Sequence, residues 1–247
     1  MNAADFGFLM HERFDFPATV PCRTFYIIAS SERSGSTYLC LALWRTGALG
    51  APWEYLNHQT EMKAMARRLQ TNDVAEYLRR VVACRTSANG TFAIKVHYHH
   101  FSHVLGHDPH LLDGLPPPRF VVIERRDRLG QAISLARAMQ TEAWSSFAKP
   151  VRPPVYDAAL ISRCLHKIAL QIAGWTDWFA ERGIAPLLVD YDRLVARPEE
   201  TVGAVRRFLD IAEEGEAPAL PIPMVERQAD TVSAEWHSRY LIEAVTA

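Results

Sequence analysis

The sequence has few cysteines and no excess of either charge. Its four cysteines, Cys22, Cys40, Cys84 and Cys164, lie far apart without a C-x-x-C pair, which argues against a disulfide framework and makes free thiols the expected state. The formal net charge is −1, from 27 Lys and Arg against 28 Asp and Glu, so no global field recruits nucleic acid or an anionic membrane. Any anion site must be local. Nowhere do about 18 apolar residues follow one another, so no membrane span is expected. The opening residues MNAADFGFLMHERFDF lack a basic stretch followed by an apolar run, so no signal peptide is read and the expected location is cytoplasmic. Internal repeats and low-complexity tracts are also missing.

The most telling absence is a single lysine. The stretch RTFYIIASSERSGSTYLCLALWRT, Arg23 to Thr46, is an apolar strand that breaks into a polar Ser/Gly loop and restarts as an apolar helix. The loop nearly fits the phosphate-binding pattern G-x-x-x-x-G-K-[ST], with Ser30, Gly35 and Thr37 in register. Ser36 stands in the lysine position, which argues against a nucleoside triphosphatase, and the cation comes earlier, as Arg33. Amides at the start of a helix and the helix dipole favour an anion there, so the loop reads as a phosphate or sulfate cradle. A plain N-cap by Ser34 or Ser36 would need no Arg33 beside it.

At 247 residues and 49% hydrophobic content the chain supports one sizeable core, and residues 1–247 read as one domain with residues 1–22 as an irregular N-terminal extension. Buried strands are expected at Thr24–Ala29, Arg119–Glu124 and Pro186–Asp190, with a weaker one at Phe92–Val96. Ile161, Leu165, Ile168, Ile172, Trp175 and Phe179 share one face of a long helix that Gly183 ends. Strands alternating with helices predict a P-loop-like, three-layer α/β fold: a central, mostly parallel sheet flanked by helices, with ligands at the carboxyl ends of the strands. After the strand FVVIE, Arg126 and Ser134 stand eight apart, close enough along a turn and helix to converge on one phosphate. Near the C-terminus ERQAD, with Arg227 and Gln228, forms a third polar patch ahead of Trp236. Trp53, Trp144 and Trp236 fall at loop-like positions that suit either core packing or contact with a ligand. His97, His99, His100 and His103 crowd one segment, but no acidic or cysteine ligand lies close in sequence, so no metal site is expected.

Together, SSERSGSTYL, GAPWEYL, AIKVHY, RRDRLGQAISLARAMQT, PVYD, GWTDWFAERG, YDRLV and RQAD followed by a tryptophan resemble the bacterial trehalose 2-sulfotransferase-like group. These enzymes use 3'-phosphoadenosine 5'-phosphosulfate, and the resemblance runs from Arg23 to Tyr240. It implies that Arg33, Ser34, Gly35, Ser36 and Thr37 hold the 5'-phosphosulfate. Arg126 and Ser134 would hold the 3'-phosphate, with Arg227 and Gln228 closing over the nucleotide. Glu54 would be the general base, Lys95 would help neutralise the transferring group, and no metal would be needed. The acceptor implied is a hydroxyl of a carbohydrate or glycolipid. Because such enzymes are often dimers, the resemblance also implies a homodimer, for which the apolar residues around Pro150 to Tyr156 offer an interface.

There is one departure. The K-x-H formed by Lys95 and His97 resembles cytosolic sulfotransferases, in which that histidine is the base, so His97 rivals Glu54. Two other functions compete: a nucleotide kinase with an altered loop, which Ser36 opposes, and a nucleotide-binding module without turnover.

Overall fold

In a computed structural model, residues 7–17, 20–212, 219–226 and 228–246 are described. Four strands form one parallel sheet: β1 (Thr24–Ser30), β2 (Thr91–His97), β3 (Arg119–Glu124) and β4 (Leu187–Asp190), in the order β2-β1-β3-β4. Ile27 pairs with Ile94 on one side and Phe120 on the other, and Ile123 pairs with Val189. Phe25 to Ala29 are all buried, as expected of a central strand covered on both faces. The chain moves from β1 to β2 on one side and then crosses to β3 on the other. In open α/β sheets such a reversal of strand order opens a ligand crevice at the carboxyl ends.

The helices follow in sequence: α1 (Ser36–Arg45), α2 (Glu61–Arg68), α3 (Val74–Arg85), α4 (Tyr98–His107), α5 (Arg128–Thr141), α6 (Ala158–Arg182), α7 (Tyr191–Ala196), α8 (Pro198–Phe208) and α9 (Thr231–Thr246). They flank the sheet in the three-layer, P-loop-like arrangement expected from the sequence. The long helix α6 starts at Asp157, whose carboxylate accepts the Leu160 N–H at 2.8 Å, and stops at Gly183 with φ 61°, a left-handed cap that glycine adopts without strain. Its fully buried stripe is Ile161, Cys164, Ile168, Gln171, Trp175 and Phe179. Leu165 and Ile172, expected on that face, lie at its margin against a smaller apolar cluster shared by α5, α6 and Trp236.

Before β1 the described residues form two short 3₁₀ turns, Gly7–Met10 and Glu12–Phe14, which bury Leu9, Met10 and Phe14 in the main core. Buried Arg85 on α3 fastens this segment by donating to the carbonyls of Phe14 and Leu9 at 3.2 and 3.0 Å. Among the described residues no helix is long and apolar enough to cross a membrane.

Candidate active site

One cavity of about 1040 Å³ opens at the carboxyl ends of the strands. Its first wall is the loop between β1 and α1. Arg33 and Gly35 both take positive φ, 61° and 92°, and so turn the chain sharply into the helix. A Cβ on Gly35 would sit 2.3 Å from the Tyr191 ring, so both the backbone angle and the available space demand glycine. Gln131 on α5 braces the loop, donating to Ser31 Oγ at 2.9 Å and to the Glu32 carbonyl at 2.6 Å. Arg33, Gly35, Ser36 and Thr37 line the cavity, with the first amides of α1 behind them. Ser34 is wholly buried, and its Oγ has no hydrogen-bond partner among the described residues.

Arg33 ties three distant segments together. Its Nε donates to Ser134 Oγ at 2.8 Å, one Nη to the Trp144 carbonyl and the other to Gln228 Oε1. Arg33, Ser134 and Gln228, picked from separate parts of the sequence, therefore meet. Arg227 lies outside the described residues. Arg137 on α5 adds a further clasp to the C-terminal segment, bonding both oxygens of Asp230 at 2.6 and 2.8 Å.

Arg126, expected at the 3'-phosphate, faces away from the cavity. Its side chain is 84% exposed, pairs with Asp190 at 2.9 Å and is not part of the cavity lining. The arginine that faces the cavity is its neighbour Arg125, which is 13% exposed, bonds Asp127 at 3.0 Å and lies over the Tyr191 ring at 5.2 Å. β3 ends at Glu124 and Asp127 caps α5, so adjacent residues in the intervening turn point to opposite sides. Of the two adjacent arginines, the one eight before Ser134 is the exposed one.

The opposite wall carries Glu54, Lys95 and His97. Trp53 pairs with Ile94 through one parallel bridge, and its carbonyl accepts the Lys95 N–H at 2.9 Å, which seats Glu54 beside β2. Lys95 and His97, two apart on β2, share a face. Lys95 Nζ donates to Glu54 Oε1, Asn57 Nδ2 donates to Glu54 Oε2 at 3.1 Å, and His97 Nε2 lies 3.8 Å from Glu54 Oε1. Burial works against the Glu54 charge, but the fields of Lys95 and His97 outweigh it and hold the carboxyl well below the usual carboxylate range. Burial lowers the His97 pKa, and Ser30 Oγ lies 3.0 Å from its Nδ1. His99 and His100 also reach the cavity. Among the described residues no three His, Cys, Asp or Glu side chains are grouped to hold a metal ion.

Two residues that the sequence reading passed over tie the loop to α6. Glu32, buried in the loop, accepts Lys167 Nζ at 2.7 Å and the Gln171 amide. Burial alone would raise its pKa; the charges of His97 and Lys167 with the bonds from Lys167 and Gln171 bring it down to about 2. Gln171 sits in the buried stripe of α6 and meets His99 Nδ1 at 3.0 Å through its Oε1. The three tryptophans also separate. Trp53 is core, Trp144 borders the cavity, and Trp236 is buried on α9 rather than in a loop.

A sequence model of the Stf0 sulphotransferase family matches residues 25–243. A trehalose 2-sulfotransferase of Mycobacterium tuberculosis is 32% identical over 258 residues, covering 89% of this chain and 95% of its own. A trehalose 2-sulfotransferase of Mycolicibacterium smegmatis is 29% identical over 260 residues, covering 90% of this chain and 96% of its own. Among solved structures, sulfotransferase STF9 from Mycobacterium avium superposes with a TM-score of 0.51 at 14% identity, over 91% of this chain and 69% of that one, a likeness of fold. With a match spanning nearly the whole sequence and a relative above 30% identity, the chain belongs to the Stf0 sulphotransferase family.

Proposed function

We propose that this protein transfers a sulfuryl group from 3'-phosphoadenosine 5'-phosphosulfate to a hydroxyl of a carbohydrate, with trehalose the first acceptor to test. The observation that carries this reading is one cavity with an anion cradle on one wall and a buried carboxylate, lysine and histidine on the other. The cradle suits the donor. Arg33, the α1 amides and the hydroxyls of Ser36 and Thr37 face the 5'-phosphosulfate, while Gly35 lets backbone approach it closely. Arg125 and Ser134, rather than Arg126, take the 3'-phosphate, and Gln228 closes from the C-terminal segment.

In the reaction the acceptor oxygen attacks sulfur and the bond from sulfur to the 5'-phosphate oxygen breaks, with its electron pair leaving on the bisphosphate. Arg33 and the loop amides stabilise that charge. The hydroxyl proton passes to Glu54. Paired with Lys95, Glu54 is a weak base; as Lys95 turns toward a sulfuryl oxygen, the carboxylate recovers basicity where the proton must go. His97, 3.8 Å from Glu54 Oε1, is the rival base. The acceptor end, lined by Asn57, Gln59, Thr60, His99 and His100, offers side-chain hydrogen bonds that match sugar hydroxyls. The test is incubation with the phosphosulfate donor and a panel of disaccharides and lipid-linked sugars, read by mass. A gain of one sulfate that Glu54→Gln cuts about a hundredfold, while bisphosphate affinity holds, supports the assignment. Loss with His97→Asn but not with Glu54→Gln reverses the two roles, and no sulfated product from any sugar refutes the reading.

A further inference from the structure

Lys167, Glu32, Gln171 and His99 form one polar chain from α6, across the loop after β1, to α4. A simple ion pair would stop at its second member. Lys167 Nζ stands 2.7 Å from Glu32 Oε1 and keeps that carboxylate charged, so the carboxylate only accepts hydrogen bonds. The group donating to Glu32 Oε2 is therefore the Gln171 amide nitrogen, which turns Gln171 Oε1 toward His99 Nδ1, 3.0 Å away. A carbonyl oxygen also only accepts, so Nδ1 of His99 carries the proton. The neutral ring is left with a lone pair on Nε2. That atom has no hydrogen-bond partner among the described residues and is not sealed from solvent. The His99 side chain is 38% exposed and lines the cavity beside Glu32 and Lys167.

We propose that His99 binds the acceptor: its Nε2 accepts a hydrogen bond from a carbohydrate hydroxyl, and Lys167, Glu32 and Gln171 are positioning residues that fix the ring's tautomer. The cavity must sort two ligands, a nucleotide anion and an alcohol. An N–H or an imidazolium at this point would attract phosphate and sulfate oxygens. A bare nitrogen repels them and is matched only by a group that can donate, as a hydroxyl can. The anion thus stays at the Arg33 cradle, and the sugar has an end of its own. Gln171 is buried in the apolar stripe of α6, where an amide without partners would cost stability, so its two bonds give the position its reason.

This role presupposes the sulfuryl-transfer reading, and two readouts keep the two apart. Long-range ¹H–¹⁵N NMR on protein with ¹⁵N-labelled histidines, at about pH 8 where imidazoles are neutral, distinguishes a protonated ring nitrogen from a bare one. A His99→Asn variant assigns the signals among the ten histidines. Wild-type His99 shows Nδ1–H and a bare Nε2, and the Nε2 signal moves when trehalose is added with adenosine 3',5'-bisphosphate. In Gln171→Leu the Nε2–H form appears. Nε2–H in the wild type, a tautomer unmoved in Gln171→Leu, or an Nε2 signal indifferent to trehalose overturns the proposal. Steady-state kinetics then compare trehalose with its monodeoxy analogues as varied acceptors. On wild type, loss of one particular hydroxyl raises KM about tenfold. On His99→Phe, which keeps a ring without the nitrogen, that analogue matches trehalose. Analogues that lose as much on His99→Phe as on wild type show that His99 holds no hydroxyl. A wild type that sulfates no sugar defeats the parent reading. An Nε2 signal that still answers to trehalose then leaves the His99 contact standing, and a silent one removes both.

Discussion

The paired arginines after β3 give the sharpest test of the site, because adjacent residues of one type are predicted to behave oppositely. Arg125 is 13% exposed and lines the cavity; Arg126 is 84% exposed and pairs with Asp190. A hydrogen bond from a charged donor in a sheltered site contributes about 1.5–3 kcal/mol, so Arg125→Ala should weaken binding of adenosine 3',5'-bisphosphate roughly 10- to 150-fold. An exposed ion pair contributes about 0–1 kcal/mol to stability and nothing directly to a ligand it does not touch, so Arg126→Ala should leave affinity within about twofold. Isothermal titration calorimetry at fixed ionic strength measures both, since screening would otherwise blur the contrast. Arg125→Lys adds a control: if the guanidinium fork matters, a point charge recovers only part of the loss. Equal losses at the two positions, or a loss confined to Arg126, would refute the placement of the 3'-phosphate beside Arg125 and Ser134.

Two other substitutions probe the loop. Gly35→Ala puts a methyl group 2.3 Å from the Tyr191 ring on a residue with φ 92°. It should lower the melting temperature and cost about 1–3 kcal/mol. Adding Tyr191→Ala should recover the steric part of that cost only, and full recovery would mean that the backbone angle contributes nothing. Glu32 tests the buried network through pH. Its carboxyl sits near 2 in the folded chain against an unperturbed 4.5, so its stabilisation is complete above 4.5 and is lost as pH falls toward 2. Glu32→Gln should therefore be less stable than wild type in urea unfolding at neutral pH, and the gap should close on acidification. A gap independent of pH would assign Glu32 a packing role.

The fold was legible because its signals are local. Apolar runs of strand length, a helix whose hydrophobic steps alternate between three and four, and a glycine placed to end it each depend on residues a turn or two apart. These gave the strands to within a residue or two and the end of α6 at Gly183. The polar loop between β1 and α1 was legible for the same reason, since its Ser/Gly break is written in consecutive residues. Arg33 and Ser134, 101 positions apart, were each read from a local motif, but the hydrogen bond between them was not.

What could not be read was orientation and partnership. Sequence spacing between Ser134 and the β3 turn cannot say which of two adjacent arginines turns inward, because that depends on where the strand stops and on Asp127 capping α5. Gln171 shows a second limit. On the helical wheel it falls in the buried stripe of α6, a place where an amide costs stability unless it is bonded, and an uncharged polar residue there looks like noise. Its bonds to Glu32 and His99 supply the reason, and both partners come from other elements. Glu61 is the third case: in sequence it is an acidic residue opening a helix, where the dipole alone explains it. Only the fold reveals that it lines the same cavity as Glu54 and Lys95. A buried polar residue on an otherwise apolar face is thus the one sequence signal that could have been followed further. It requires a partner, and here the partner it requires belongs to the active site.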